Sequence, residues 1–282
     1  MENEKYTVPA VAKALDILLF LKEQKYWKST LTEIAASLAL NKSSCFAILR
    51  TLQAKKLVQF DEITRKYSLG MVFLEFASAV TAQVNHISLA KPIIERLAQE
   101  THLTYFLAER IAADTVMIIE KAEFRERVHV TFPIGERRPI TAGSTGKVFL
   151  AFMDESEREI VLAELKLVQY TPVTITDRKR LADEFSEVRT RGYSINFGEY
   201  TIGINGVAAP VFDEHEKVVM TITAVGFPQT LHNENIHSIG EQTYDAAREI
   251  TRLLNGKLPP SLTRPAQYVL ASDQLTTTAI SE

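Results

Sequence analysis

The fold of this chain is decided by residues 41–52, which read NKSSCFAILRTL. The segment begins with Asn41, a residue type favoured at the N-cap of an α-helix. Apolar side chains then recur at helical spacing and predict one inward face, formed by Cys45, Ile48, Leu49 and Leu52. The opposite face carries a different set, namely Lys42, Ser43, Phe46, Ala47 and Arg50. The pattern predicts an amphipathic helix that runs to about Lys55 and leaves one face free for another molecule.

A second helix is predicted immediately before this one. Thr30 and Glu33 have the Thr-x-x-Glu spacing of a capping box, and Ile34, Ala35 and Leu38 are expected to point inward. Because only two residues separate the helices, the pair is a predicted helix-turn-helix, whose second helix can enter the major groove of DNA. An earlier helix, at residues 8–21, is expected to bury four apolar side chains, Val11, Leu15, Leu18 and Leu19.

A β-hairpin is predicted after the helix pair, from two alternating runs on either side of the polar turn 61–66. Its tip is expected to carry Arg65 and Lys66, placed to touch the DNA backbone or the minor groove. The second helix offers phosphate and base contacts from Ser43, Ser44 and Arg50. The same pattern also fits an ordinary three-helix packing unit without a ligand, and the pattern alone leaves both interpretations open.

Length and charge indicate two units with different partners. At about 150 residues per domain, 282 residues predict two domains, and 46% apolar with 24% charged residues is typical of a soluble globular protein. The net charge of −3 argues against a nucleic-acid partner. However, residues 1–70 carry eleven Lys and Arg against seven Asp and Glu, a net charge of +4, whereas the remainder carries −7. A small basic unit can bind a polyanion while the whole chain stays acidic.

The N-terminus lacks the features of a secretory signal, and the longest uncharged stretches fall short of a membrane span. A single cysteine, Cys45, cannot form an internal disulfide. We therefore expect a cytoplasmic protein without a membrane partner.

Several stretches resemble the IclR (isocitrate lyase regulator) family of bacterial transcription factors. They are residues 41–52 with Tyr67–Gly70, the sequence GSTGKVFLA at 143–151, residues 191–193, and residues 199–211. The likeness extends over about residues 8–255. Two positions depart from the family pattern: Ala47 stands where Arg is common, and Arg65 stands where a wing-tip Gly is common.

The resemblance implies an α+β protein with an N-terminal winged helix-turn-helix and a C-terminal GAF-like mixed sheet with helices. The expected organisation is a DNA-binding domain (1–70), a linker helix (71–84), an effector-binding domain (85–256) and a C-terminal tail (257–282). Pairing of the DNA-binding units near the linker implies a homodimer or a dimer of dimers. Within the larger domain, residues 127–132 are among the runs predicted to be strands.

Catalytic, metal and cofactor sites are not predicted. GSTGK fails as a phosphate-binding loop because Thr141 and Val148 occupy the positions that require Gly and Ser or Thr. Neither a Gly-x-Ser-x-Gly elbow nor His-x-x-x-His spacing occurs. What the segment retains is a turn of small residues that enters a helix, whose N–H groups suit a small anion.

By resemblance, the effector pocket is lined by Val130, Ser144, Thr145, Gly146, Asn196, Gly206, Thr223 and Val225, with Arg127 and Arg138 at further matching positions. Because Gly206 and Val225 make the predicted pocket wide and apolar, our hypothesis is a larger carboxylate, aromatic or sugar-derived, whose charge pairs with one of the arginines. In the alternative interpretation both arginines lie on the surface.

The function favoured by these features is a one-component transcriptional regulator. It would bind double-stranded operator DNA and respond to a small organic acid, and repression is favoured over activation. Two other classes remain: a metabolic enzyme with a helical interaction module, and a sensor whose helix-turn-helix contacts only protein.

Overall fold

The computed structural model describes residues 8–83, 85–125 and 128–262. The chain forms two compact units, with the division between Val84 and Asn85. The first unit contains helices α1 (Pro9–Lys22), α2 (Leu31–Ser37), α3 (Lys42–Ala54) and α4 (Val72–Gln83), and strands β1 (Ser29–Thr30), β2 (Val58–Asp61) and β3 (Lys66–Leu69). The strands pair antiparallel in the order β1-β3-β2. This is the predicted winged helix-turn-helix.

Local signals set the starts of α2 and α3. The Thr30 side chain accepts a hydrogen bond from the Glu33 backbone N–H, and the Glu33 carboxylate accepts one from the Thr30 N–H at 2.7 Å, which completes the capping box. The Asn41 side chain accepts from the Ser43 N–H at 2.9 Å. These predicted caps are confirmed.

The predicted inner face of α1 is wrong at three of its four residues, and only Leu18 packs, half-buried, against the core. The buried residues are Ile17, Phe20 and Leu21, whereas Val11, Leu15 and Leu19 are 55%, 54% and 54% exposed. The helix is apolar nearly all round, so spacing alone could not select the face that packs against α3 and β3. Val11, Leu15 and Leu19 therefore form an apolar stripe on the surface of the first unit.

The second unit contains helices α5 (Asn85–Thr101), α6 (Gly143–Phe152), α7 (Glu155–Glu164), α8 (Arg178–Arg191) and α9 (Ile236–Leu253). Its strands are β4 (Thr104–Ala112), β5 (Thr115–Ala122), β6 (Arg137–Pro139), β7 (Ser194–Phe197), β8 (Asn205–Phe212) and β9 (Val218–Gly226), in the order β6-β5-β4-β9-β8-β7. Alternate residues of β8 face opposite layers: Val207 and Ala209 pack with α5 and α9, and Ala208 packs with α6 and α8.

The α+β class is confirmed, but the sheet is antiparallel at every described pairing rather than mixed. Short turns join β4 to β5 and β8 to β9, and such turns can connect only antiparallel neighbours. Helices α6 to α8 instead lie between β6 and β7, which are the two outer strands of the sheet.

Residues 128–132 are not a strand, which corrects the prediction for 127–132. Val130 packs its side chain against Phe106 and Ile118, but the neighbouring stretch of β5 pairs with β6. The apolar side chains in this run reflect burial on the sheet face rather than membership of the sheet.

A short 3₁₀ turn, Pro260–Leu262, follows α9, and residues 263–282 of the predicted tail lie outside the described residues. None of the described helices is long and apolar enough to cross a membrane.

Candidate DNA-binding surface and effector pocket

Helix α3 presents the face that the sequence predicts. Cys45, Leu49 and Leu52 are buried, and Ile48 is half-buried. The predicted contact residues on α3 are all exposed, namely Lys42, Ser43, Ser44, Phe46, Ala47 and Arg50. The helix therefore offers a continuous outer surface of the kind that enters a major groove.

Several polar groups on this surface are already engaged. Ser43 Oγ donates to Asn41 Oδ1 at 2.6 Å, and Thr51 Oγ1 donates to the Ala47 carbonyl at 2.9 Å. In the part of the chain that the structure describes, Arg50 has no hydrogen-bond or ion-pair partner, so its guanidinium is available to a base or a phosphate.

The wing tip is held by Asp61, whose carboxylate accepts hydrogen bonds from the N–H groups of Ile63 (2.9 Å) and Thr64 (3.2 Å). These hydrogen bonds lower the pKa of Asp61, and the bond from Thr64 has the largest effect. Arg65 lies at the tip with φ +56°, in the left-handed region that glycine adopts at less cost. Lys66 is not at the tip: it lies in β3, paired with Asp61 and Thr30, because the turn ends one residue earlier than predicted.

The sheet register brings much of the predicted pocket to one face. Asn196 on β7 pairs with Gly206 on β8, and Gly206 pairs with Val225 on β9. Thr223, two residues before Val225 and on the same face, forms a 2.9 Å hydrogen bond with Thr145 on α6. The N-terminal turn of α6, where helix N–H groups are left without intrahelical acceptors, therefore lies over this face.

A cleft that is partly open to solvent lies here. Six predicted residues line it: Arg138, Ser144, Thr145, Asn196, Thr223 and Val225. Seven lining residues were not predicted: Phe106, Phe132, Ala142, Gly143, Tyr200, Thr201 and Ile204. In the sequence, Phe106 and Phe132 are recognisable only as members of apolar or β-branched runs. No sequence pattern indicates that these runs lie next to Arg138 in the fold.

The other predicted residues do not line this cleft. Val130 lines a neighbouring cleft. Gly146 faces backbone, since a Cβ there would lie 1.7 Å from the Ile140 carbonyl oxygen. Gly206 lies behind the lining, where a Cβ would lie 3.1 Å from Ser144 Oγ. Arg127 lies outside the described residues.

Arg138 sits in an aromatic cage. Its guanidinium carbon is 3.9 Å from the ring centroid of Phe132 and 5.4 Å from those of both Phe106 and Tyr200. The side chain is only 10% exposed, so Arg138 is not a surface residue. Its Nε donates to Glu136 at 2.9 Å, and among described residues its two terminal nitrogens have no hydrogen-bond partner. Burial raises the pKa of Tyr200, and the Arg138 charge opposes that rise.

A buried lysine anchors the loop that carries Tyr200. Lys147 Nζ, on α6, donates to Glu199 at 2.6 Å, to Glu184 at 3.0 Å and to the Ile195 carbonyl at 2.8 Å. Burial raises the pKa of Glu199 despite the adjacent ammonium. In the sequence, Lys147 stands out only as part of a segment that does not fit the phosphate-loop motif. In the structure, its charge connects α6, α8 and the loop after β7.

No group of three His, Cys, Asp or Glu side chains arranged to hold a metal ion occurs within residues 8–83, 85–125 and 128–262.

A winged helix-turn-helix followed by a sheet domain with a partly open cleft is the architecture of a DNA-binding regulator that has a ligand-binding domain. The family model for the IclR helix-turn-helix domain matches residues 10–62, and that for the bacterial transcriptional regulator IclR C-terminal domain matches residues 78–252. The chain belongs to the IclR family of bacterial transcriptional regulators, as its motifs had suggested. Family and relatives alike are named as regulators rather than enzymes.

Among similar proteins, the HTH-type transcriptional repressor AllR of Escherichia coli K12 is 28% identical over 251 residues, 89% of this chain and 92% of AllR. An IclR transcriptional regulator structure from Alicyclobacillus acidocaldarius has a TM-score of 0.80 and 32% identity, covering 88% of this chain and all of that one. An IclR homologue from Microbacterium hydrocarbonoxydans, complexed with 4-hydroxybenzoate, has a TM-score of 0.77 and 24% identity over 87% of this chain and 99% of its own, a likeness of fold.

Proposed function

We propose that this regulator is a cytoplasmic repressor that binds operator DNA as a homodimer and releases it when an organic carboxylate, aromatic rather than sugar-derived, occupies the cleft of the second unit. The observation that carries the proposal is the caged Arg138, a permanent positive charge that is 10% exposed at a cleft of mixed aromatic and polar lining and that pairs with Glu136 only through Nε. AllR, a relative over nearly the whole chain, is named a repressor, which supports the sign of regulation.

The cleft has the chemistry of an aromatic carboxylate site. The terminal nitrogens of Arg138 form a planar fork that suits a carboxylate, while Phe106, Phe132 and Tyr200 suit a ring. The N-terminal turn of α6 adds partial positive charge at the same cleft. The 4-hydroxybenzoate bound by the Microbacterium homologue belongs to this ligand class.

A second copy of the chain is the proposed partner of the first unit. Val8, Val11, Leu15 and Leu19 are more than half exposed and lie on one face of α1. A further exposed apolar set runs along α4, made of Met71, Leu74, Phe76 and Val80. Two-fold pairing would bury both sets and place two α3 helices on a symmetric operator. Leu15→Glu should then yield monomers by analytical ultracentrifugation, whereas Lys13→Glu, on the opposite side of α1, should not.

The effector assignment is tested by calorimetry with aromatic and sugar-derived carboxylates. Arg138→Met keeps the long side chain among the rings but removes the charge, so it should abolish binding. Arg137→Met, at the exposed neighbouring position in β6, should bind as the parent does. Unchanged binding in both Arg138→Met and Arg127→Ala would refute the arginine anchor.

The DNA-binding assignment is tested by gel shifts. Arg50→Ala should weaken operator binding by about 1–3 kcal/mol and relax specificity, because an arginine fork can read guanine. Lys66→Ala should weaken binding on all sequences equally. Equal losses on operator and random DNA for Arg50→Ala would remove Arg50 from base readout.

Ligand binding and operator binding are thermodynamically coupled. The factor by which bound ligand lowers the affinity for operator must equal the factor by which bound operator lowers the affinity for ligand. A reporter that loses expression without the protein would show activation instead.

A further inference from the structure

The exposed surface of α3 has donor side chains without a recorded partner among the described residues at Lys42 and Ser44 in its first turn and at Arg50, and apolar side chains between them. Ser43 and Thr51 both lie on it, but each hydroxyl proton is committed within the protein. At 100° per residue, Phe46, Ala47 and Arg50 occupy the same surface, and all three are exposed. Arg50 is thus a free donor beside an apolar patch formed by Phe46 and Ala47.

Phe46 is not part of the hydrophobic core. The core of the first unit takes Cys45 and Leu49 from this helix, and both are fully buried. Phe46 is 48% exposed and makes no ring-ring contact with another described residue. Its ring is therefore available to a partner that lies against α3.

The major groove exposes one apolar group at base edges, the C5-methyl of thymine. We propose that Phe46 and Ala47 select operators by contacting thymine methyl groups next to the base pair that Arg50 reads. The inference rests on the proposed role of α3 in DNA binding and adds the chemistry of the bases it prefers.

The test uses the tightest duplex that the full-length protein selects from a random pool. Each thymine in that duplex is replaced by uracil, which removes the methyl group and leaves base pairing intact. Fluorescence anisotropy should show about fourfold weaker binding for each methyl that is buried against the protein. The penalty should fall at one or two thymines next to a guanine.

Variants identify the side chains responsible. Phe46→Ala should reduce the thymine-to-uracil affinity ratio to within about 1.5-fold at the thymine that the ring covers, because that ring surface is gone, and keep it at any thymine that Ala47 covers. Arg50→Ala should bind both more weakly and keep the fourfold ratio. Ala47→Arg should lose part of the methyl dependence and gain preference for guanine. Unchanged Trp27 fluorescence melts would show that each variant is folded.

The two levels of the proposal fail in different ways. If the full chain selects no sequence, DNA recognition by α3 is overturned together with the methyl readout. If it selects a duplex but uracil substitution changes no affinity, only the methyl readout is overturned. A uracil penalty that persists in both Phe46→Ala and Ala47→Arg also overturns it, because the methyl is then read by another part of the protein.

Discussion

Replacing Lys147 by methionine removes the charge that joins α6, α8 and the Tyr200 loop. The ammonium is 3% exposed and makes three short contacts, two of them to carboxylates. Glu184 is 28% exposed and can be rehydrated, but Glu199 is only 15% exposed. Methionine fills nearly the same space, so the main change is an unpaired carboxylate inside the protein.

Removal of one partner from a buried ion pair costs about 3–5 kcal/mol, because the remaining charge stays out of water. For a domain of this size, 1 kcal/mol shifts the melting midpoint by about 2–4 °C, so Lys147→Met should lower the midpoint of the second unit by about 6–20 °C. The double variant with Glu199→Gln removes the stranded charge. It should therefore be more stable than the sum of the single losses by about 0.5–3 kcal/mol.

Acid should rescue the single variant. A carboxyl whose folded-state pKa is raised stabilises the protein below its unfolded pKa, and that stabilisation is lost as pH rises through the folded pKa. Burial already raises the pKa of Glu199, and loss of Lys147 raises it further. The difference in stability between Lys147→Met and the parent should therefore shrink as pH falls toward about 4.5.

The assay is thermal unfolding of the full chain, followed by far-ultraviolet circular dichroism and by fluorescence. Trp27, the sole tryptophan, lies in the first unit and serves as an internal control whose transition should not move. Lys166→Met, at an exposed position, should match the parent. A midpoint for Lys147→Met within about 1 °C of the parent, or a double variant that shows simple additivity, would refute a stabilising role for the pair.

Three further predictions follow from the backbone and the core. Arg65→Gly should stabilise the first unit by about 1 kcal/mol, because a left-handed conformation is costly for an L-residue, and a Trp27 midpoint that does not rise would contradict this. Gly146→Ala should yield little soluble folded protein, since its Cβ would lie 1.7 Å from the Ile140 carbonyl oxygen, and normal yield with a parental melt would contradict the packing. Cys45 should react with a thiol reagent only when the protein unfolds, since it is buried and desolvation raises its pKa, and rapid labelling of native protein would show otherwise.

Features that depend on a few neighbouring residues could be predicted from the sequence. The capping box at Thr30, the Asn41 cap and the stop of α8 at Gly192, which has φ +89°, each depend on a local backbone preference. The inward face of α3 was also predictable, because its polar and apolar residues alternate cleanly at helical spacing.

The pocket was predicted only in part because it is assembled from distant segments. The cage around Arg138 takes its rings from Phe106, Phe132 and Tyr200, which lie up to 94 residues apart in the sequence. Only the strand order and register bring them together, and those depend on long-range pairing. The triad around Lys147 is another such case, because Glu184 and Glu199 are placed by α8 and by the loop after β7.

The error over α1 has a different cause and tells more about function. A helix with one apolar face must bury it in its own domain, so periodicity identifies the core. Helix α1 has two apolar faces, and Ile17, Phe20 and Leu21 alone complete the core of the first unit. The remaining stripe, Val11, Leu15 and Leu19, is left exposed by the residues of this unit that the structure describes, and a run of exposed apolar residues is costly in water. Where a helix has more apolar surface than its own core buries, periodicity cannot select the inward face, and the excess on α1 is the surface that the proposed dimer would cover.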